Sequence, residues 1–110
     1  MAEQDPRFEL SVSAKGERSL VQVQGELDLF TAPMLGECLD EQLHQGRLRV
    51  VLDLTDTRFL DSAGMSVLIQ AMHRFRKRNA VLALAAPSTG VLRIIEAMDL
   101  QGAFPMVRVA

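Results

Sequence analysis

The sequence predicts an α/β domain, a mixed and mostly parallel sheet of about five strands packed with α-helices. Apolar and polar residues alternate twice near the start, as they do in a hairpin with one buried face. Two later segments, Leu48–Leu54 and Val81–Ala85, are almost wholly apolar, the pattern of parallel strands covered on both faces. Stretches with apolar residues at helical spacing alternate with those strands, and right-handed crossovers join such units into one sheet.

In chain order, Phe8, Leu10, Val12 and Ala14 alternate with Glu9, Ser11 and Ser13, and the alternation resumes at Val21 and Val23. Lys15–Arg18 is the turn between them. Gly25-Glu26-Leu27-Asp28-Leu29-Phe30 reads as a loop or short extended segment. Thr31 is placed to cap the next helix, with Pro33 in its first turn. Leu35, Cys38, Leu39 and Leu43 share one face of that helix, and Gly46 stops it. After the central strand, Thr55-Asp56-Thr57-Arg58 reads as a polar loop. A second helix is expected from Ser62 to about Asn79, with Met65, Leu68, Ile69, Met72 and Phe75 inward. Ser88 or Thr89 caps a third helix carrying Val91, Ile94, Ile95 and Met98. Met106–Val109 closes the sheet as an edge strand.

At 110 residues the chain fits one domain over 1–110, with a core from about residue 8 to 109. Twelve basic against fourteen acidic residues, and no Trp or Tyr, argue against nucleic acid as the partner. No apolar run approaches the roughly 20 residues that cross a bilayer, so no membrane insertion is expected. Met1–Pro6 lacks the basic and apolar regions of a signal peptide, and Cys38 is the sole cysteine. A cytoplasmic protein is expected.

Chemistry-bearing residues concentrate after the central strand, where open α/β sheets bind ligands: Asp53, Asp56, Asp61, Ser62 and Gly64. By capping preference alone Ser62 is an ordinary N-cap, and Asp56 and Asp61 are turn formers. A nucleophile elbow would need Gly where Leu60 stands, and neither His44 nor His73 is aimed at Ser62. No phosphate-cradling glycine loop is present. No catalytic residue, metal ligand or cofactor is therefore expected. Arg74, Arg76, Lys77 and Arg78 read as a solvated last helical turn rather than a phosphate or lipid patch. Cys38 reads as a small hydrophobe.

The segment Val50-Val51-Leu52-Asp53-Leu54-Thr55-Asp56-Thr57-Arg58-Phe59-Leu60-Asp61-Ser62-Ala63-Gly64, with Gly25-Glu26-Leu27-Asp28 upstream, resembles the STAS domain, in particular bacterial anti-sigma factor antagonists. The resemblance runs from about Phe8 to Val109. It implies that Ser62 is phosphorylated by an anti-sigma factor that is also a GHKL-type serine kinase. The unphosphorylated form binds that kinase and frees the sigma factor, and a PP2C-type phosphatase resets the switch. The implied docking residues are Glu26, Asp28, Arg58, Asp61, Ser62, Gly64 and Ser66. An alternative within the family is a STAS subunit that binds an ABC-transporter ATPase for lipid transport without a phosphoswitch. A nucleotide-binding enzyme ranks last. Many members have Ser or Thr where this chain has Ala63. Many also carry a further C-terminal helix, expected to be absent because the chain stops at Ala110. A sheet face or edge left open there suits a weak homodimer.

Overall fold

The computed structural model describes residues 8–85, 88–97 and 104–107. β1 (Phe8–Lys15) and β2 (Arg18–Leu27) form the expected hairpin. Its turn carries Gly16 at φ +61, a left-handed conformation that costs glycine little. Then come α1 (Ala32–His44), β3 (Arg49–Leu60), α2 (Ser62–Lys77), β4 (Val81–Ala85), α3 (Thr89–Ala97) and β5 (Met106–Val107). The sheet order is β1-β2-β3-β4-β5, with the first pair antiparallel and the other three parallel.

Residues paired across neighbouring strands project to the same side. Val21, Leu52 and Leu84 therefore share one face, and Leu20, Val51 and Ala83 share the other. α2 packs on the first face, since Gly64 lies against Leu27 and Leu60, and α1 lies beside it, with Gly36 next to Val67. The inward stripes predicted for both helices are confirmed: Leu35, Leu39, Met65, Leu68 and Phe75 are almost completely buried. Each contributes roughly 1.5–3 kcal/mol relative to exposure.

Several boundaries differ from the sequence reading. β2 continues through Gly25 to Leu27, so only residues 28–31 form the turn. Thr55–Arg58 is strand rather than loop. β3 stays paired to β2 by accommodating an extra residue twice: Gln22 faces Asp53 but Gln24 faces Asp56, and Gly25 faces Thr57 but Glu26 faces Phe59. Such bulges orphan backbone groups, and side chains serve them here. The Thr55 N–H donates to Asp53 Oδ1 at 2.9 Å, and the buried Thr57 hydroxyl donates to the Val23 carbonyl at 3.1 Å. Asp53 is thus occupied within the strand.

α2 ends at Lys77, ahead of the expected Asn79, which takes a positive φ of 56. Ser88 resolves the choice of cap for α3: it accepts from the Val91 N–H at 3.3 Å and donates to the Thr57 carbonyl at 2.7 Å. The central strand is fully covered on one side only. Val50, Leu52 and Leu54 are buried, whereas Val51 stays half-buried. Met98, Arg108 and Val109 lie outside the described residues, as does any further C-terminal element.

Candidate functional site

The parallel strands β2 and β3 end side by side, with Leu27 paired to Leu60, and the Asp61 N–H donates to the Leu27 carbonyl at 3.1 Å. Two strand-to-helix turns are thereby fixed against each other. In the first, Asp28 Oδ1 accepts from the Phe30 and Thr31 N–H groups at 2.9 and 3.0 Å. Thr31 stands at the N-cap of α1, but its hydroxyl does not cap the helix. It donates to the Glu26 carbonyl at 2.6 Å and accepts from the Asp28 N–H at 2.9 Å. The expected capping hydroxyl instead closes the turn behind it.

In the second turn the cap is Asp61, not Ser62. Asp61 has extended backbone (φ −102, ψ −171), and its Oδ1 accepts from the Gly64 N–H at 3.0 Å. Ser62 is displaced to the first helical position, exposed and outside the capping interaction. A hydroxyl there lies against the positive end of the α2 dipole, which favours an added anion.

Of the residues singled out from sequence, Glu26, Asp28 and Asp61 are half-buried, while Arg58, Ser62 and Ser66 are exposed. All come from the two strand ends or the first turn and a half of α2. Ser66 accepts from Gln70 Nε2 at 3.3 Å. Gly64 is a correction to the proposed contact surface because it is buried. A Cβ added there would stand 2.6 Å from Leu60 Cδ1 and 2.9 Å from the Leu27 carbonyl oxygen. Its part is to let α2 approach the sheet.

The sequence reading missed three apolar side chains at this end. Leu29 is 67% exposed, Phe30 79% and Phe59 46%. Leu29 and Phe30 lie in the first turn and Phe59 near the end of β3, which makes this end a candidate contact surface. The available signal was two such residues immediately after Asp28.

Other groups have local explanations. Arg74 Nε pairs with Asp40 Oδ1 at 2.6 Å, tying α2 to α1. Burial pushes the Cys38 thiol above its ordinary pKa, as befits a packing residue. His73 lies eleven residues along α2 from Ser62, roughly 16 Å at helical rise. Among the described residues, no three His, Cys, Asp or Glu side chains are placed to hold a metal ion. No helix among them is long and apolar enough to cross a membrane.

The sequence profile of the STAS domain matches residues 9–109. The chain belongs to the STAS domain family. It is 32% identical over 74 residues to the anti-sigma-B factor antagonist of Listeria monocytogenes, a match covering 67% of this chain and 65% of the relative. It therefore spans just under two thirds of that relative's length. The crystal structure of an anti-sigma factor antagonist from Mycobacterium paratuberculosis superposes with a TM-score of 0.81 at 26% identity, over 94% of this chain and 89% of that one. The Bacillus cell fate determinant SpoIIAA, solved in its phosphorylated form, shares the fold with a TM-score of 0.72 at 19% identity, over 94% and 91% of the two chains.

Proposed function

We propose that this STAS domain is an anti-sigma factor antagonist, switched by phosphorylation of Ser62. The observation that carries the reading is the division of labour in the second turn. Asp61 caps α2, which leaves the Ser62 hydroxyl exposed and free of a structural task. A GHKL-type anti-sigma kinase would transfer the γ-phosphoryl group of ATP to Ser62 Oγ, releasing ADP and the hydroxyl proton. A PP2C-type phosphatase would return the serine and inorganic phosphate by hydrolysis. The relatives named as antagonists, and the phosphorylated form known for SpoIIAA, support the assignment.

The docking surface in this reading comprises Glu26, Asp28, Arg58, Asp61, Ser62 and Ser66, with Leu29, Phe30 and Phe59 as apolar anchors. The anchors supply the burial that holds a partner. A phosphoserine adds roughly −1.5 to −2 charges beside the Asp28 and Asp61 carboxylates. The helix N-terminus tolerates that dianion, while a partner packed over it faces repulsion and desolvation. Binding fails without unfolding.

The test is affinity capture from native host lysate with wild-type and Ser62→Asp baits. An ATP-dependent kinase of the GHKL type should be retained by wild type and depleted at least about tenfold on Ser62→Asp, equivalent to about 1.4 kcal/mol. Equal retention on both baits would overturn the switch. Transporter ATPase subunits held equally by both would assign the chain to the other branch of the family.

A further inference from the structure

The side of the sheet opposite α1 and α2 is open over β1, β2 and the start of β3. Glu9, Ser11, Ser13 and Lys15 from β1, with Arg18, Gln22 and Gln24 from β2, are exposed there. Leu20 and Val51 are half-buried, and Val107 at the β5 edge is 39% exposed. The alternation that buries Val21 and Leu52 on the helix side therefore places a second set of apolar side chains where neither α1 nor α2 covers them.

The charges on this face are sorted by sign. Lys15, Arg18 and Arg49 stand together at one end, joined by the pairing of Lys15 with Arg18 and of Arg18 with Arg49. Glu9 and Asp56 stand at the other, both opposite Gln24. Glu17 in the hairpin turn and Arg58 beyond Asp56 are single charges of opposite sign, and each end keeps its character. Lys15 lies six positions along β1 from Glu9, roughly 20 Å. Each end also holds a cleft of about 440 Å³. One is lined by Lys15, Arg18, Leu20, Val51 and Val107, the other by Glu9, Gln24, Thr55, Asp56 and Arg58.

We propose that this face binds a second copy of the chain, sheet on sheet with the strands reversed. A two-fold axis lying in the interface across the strands brings the Lys15/Arg18/Arg49 end of each copy onto the Glu9/Asp56 end of the other. The same patch then serves both partners, as an isologous contact requires. Leu20 and Val51 supply the buried apolar centre, and the two charged rims fix orientation and register. Three strands form a footprint at the small end of protein interfaces, so the dimer is weak and forms at high concentration. The partner surface proposed above meets this face at Glu26, Arg58 and Phe59, whereas Ser62 opens α2 on the other side of the sheet, and the dimer contact needs no phosphorylation.

Sedimentation velocity tests it over protein concentrations from roughly 10 to 500 µM, a range suited to weak association. Wild type should shift from monomer to dimer, less so in high salt because exposed charges are screened. Lys15→Glu/Arg18→Glu and Glu9→Lys/Asp56→Lys should each remain monomeric with unchanged circular dichroism, and their equimolar mixture should dimerise again. Ser62→Asp should dimerise like wild type. A wild-type chain that stays monomeric throughout overturns the proposal and leaves the face to a different occupant. Dimerisation that survives either charge reversal, or a mixture that does not associate, also overturns it.

Discussion

Two strand-to-helix turns lie side by side at the ends of β2 and β3, each organised by an aspartate, and their hydroxyl residues meet opposite fates. Thr31 follows Asp28 by three positions. It is only 2% exposed, and its oxygen both donates to the Glu26 carbonyl and accepts from the Asp28 N–H. Ser62 follows Asp61 directly and is exposed at the first helical position. The difference lies in what the aspartate leaves undone. Asp28 Oδ1 binds N–H groups ahead of α1, and the turn still needs Thr31 to close. Asp61 completes the cap of α2 alone. A hydroxyl required by the backbone is unavailable for chemistry, and one the backbone can spare is open to modification.

The largest expected effect severs the joint between these turns. Gly64→Ala places a methyl group within 2.9 Å of the Leu27 backbone oxygen as well as against Leu60, and should cost about 3 kcal/mol in urea unfolding. A cost under about 1 kcal/mol would mean that α2 shifts to absorb the methyl. Thr31→Val keeps the shape but strips the Glu26 carbonyl and the Asp28 N–H of their hydroxyl partner. A loss of about 2 kcal/mol should appear in the same measurement. The smallest pair sharpens the contrast most. Asp61→Ala should cost about 1 kcal/mol through the lost cap. Ser62→Ala should change stability by less than about 0.5 kcal/mol while abolishing the phosphoryl transfer proposed for this serine, read by intact-protein mass spectrometry. If Ser62→Ala instead destabilises as much as Asp61→Ala, the serine is structural after all.

The helices were legible because their inward stripes recur at fixed spacing, and Leu35, Leu39, Met65 and Leu68 are buried as that spacing requires. β3 was only half legible. Thr55, Asp56, Thr57 and Arg58 carry no apolar signal, and the strand runs through them because β2, some thirty residues earlier, pairs with Asp56 and Thr57 and again with Phe59 and Leu60. The cap of α2 was ambiguous for a different reason. Asp61 and Ser62 are both capping residue types, and the extended backbone at Asp61 decides between them. Phe30 was visible as a residue but not as a surface, since exposure depends on where the neighbouring turn lies.

The two bulges in β3 also bear on where this chain can change length. In a regular strand, removing one residue turns every later side chain to the opposite face. β3 already carries one surplus residue between Asp53 and Asp56 and another between Thr57 and Phe59. A single deletion at either place would restore an even ladder, with Leu60 still facing the helices and the turn at Ser62 still facing out. The strand that delivers Ser62 thus contains its own allowance for insertion and deletion, upstream of the residue whose orientation the proposed switch depends on.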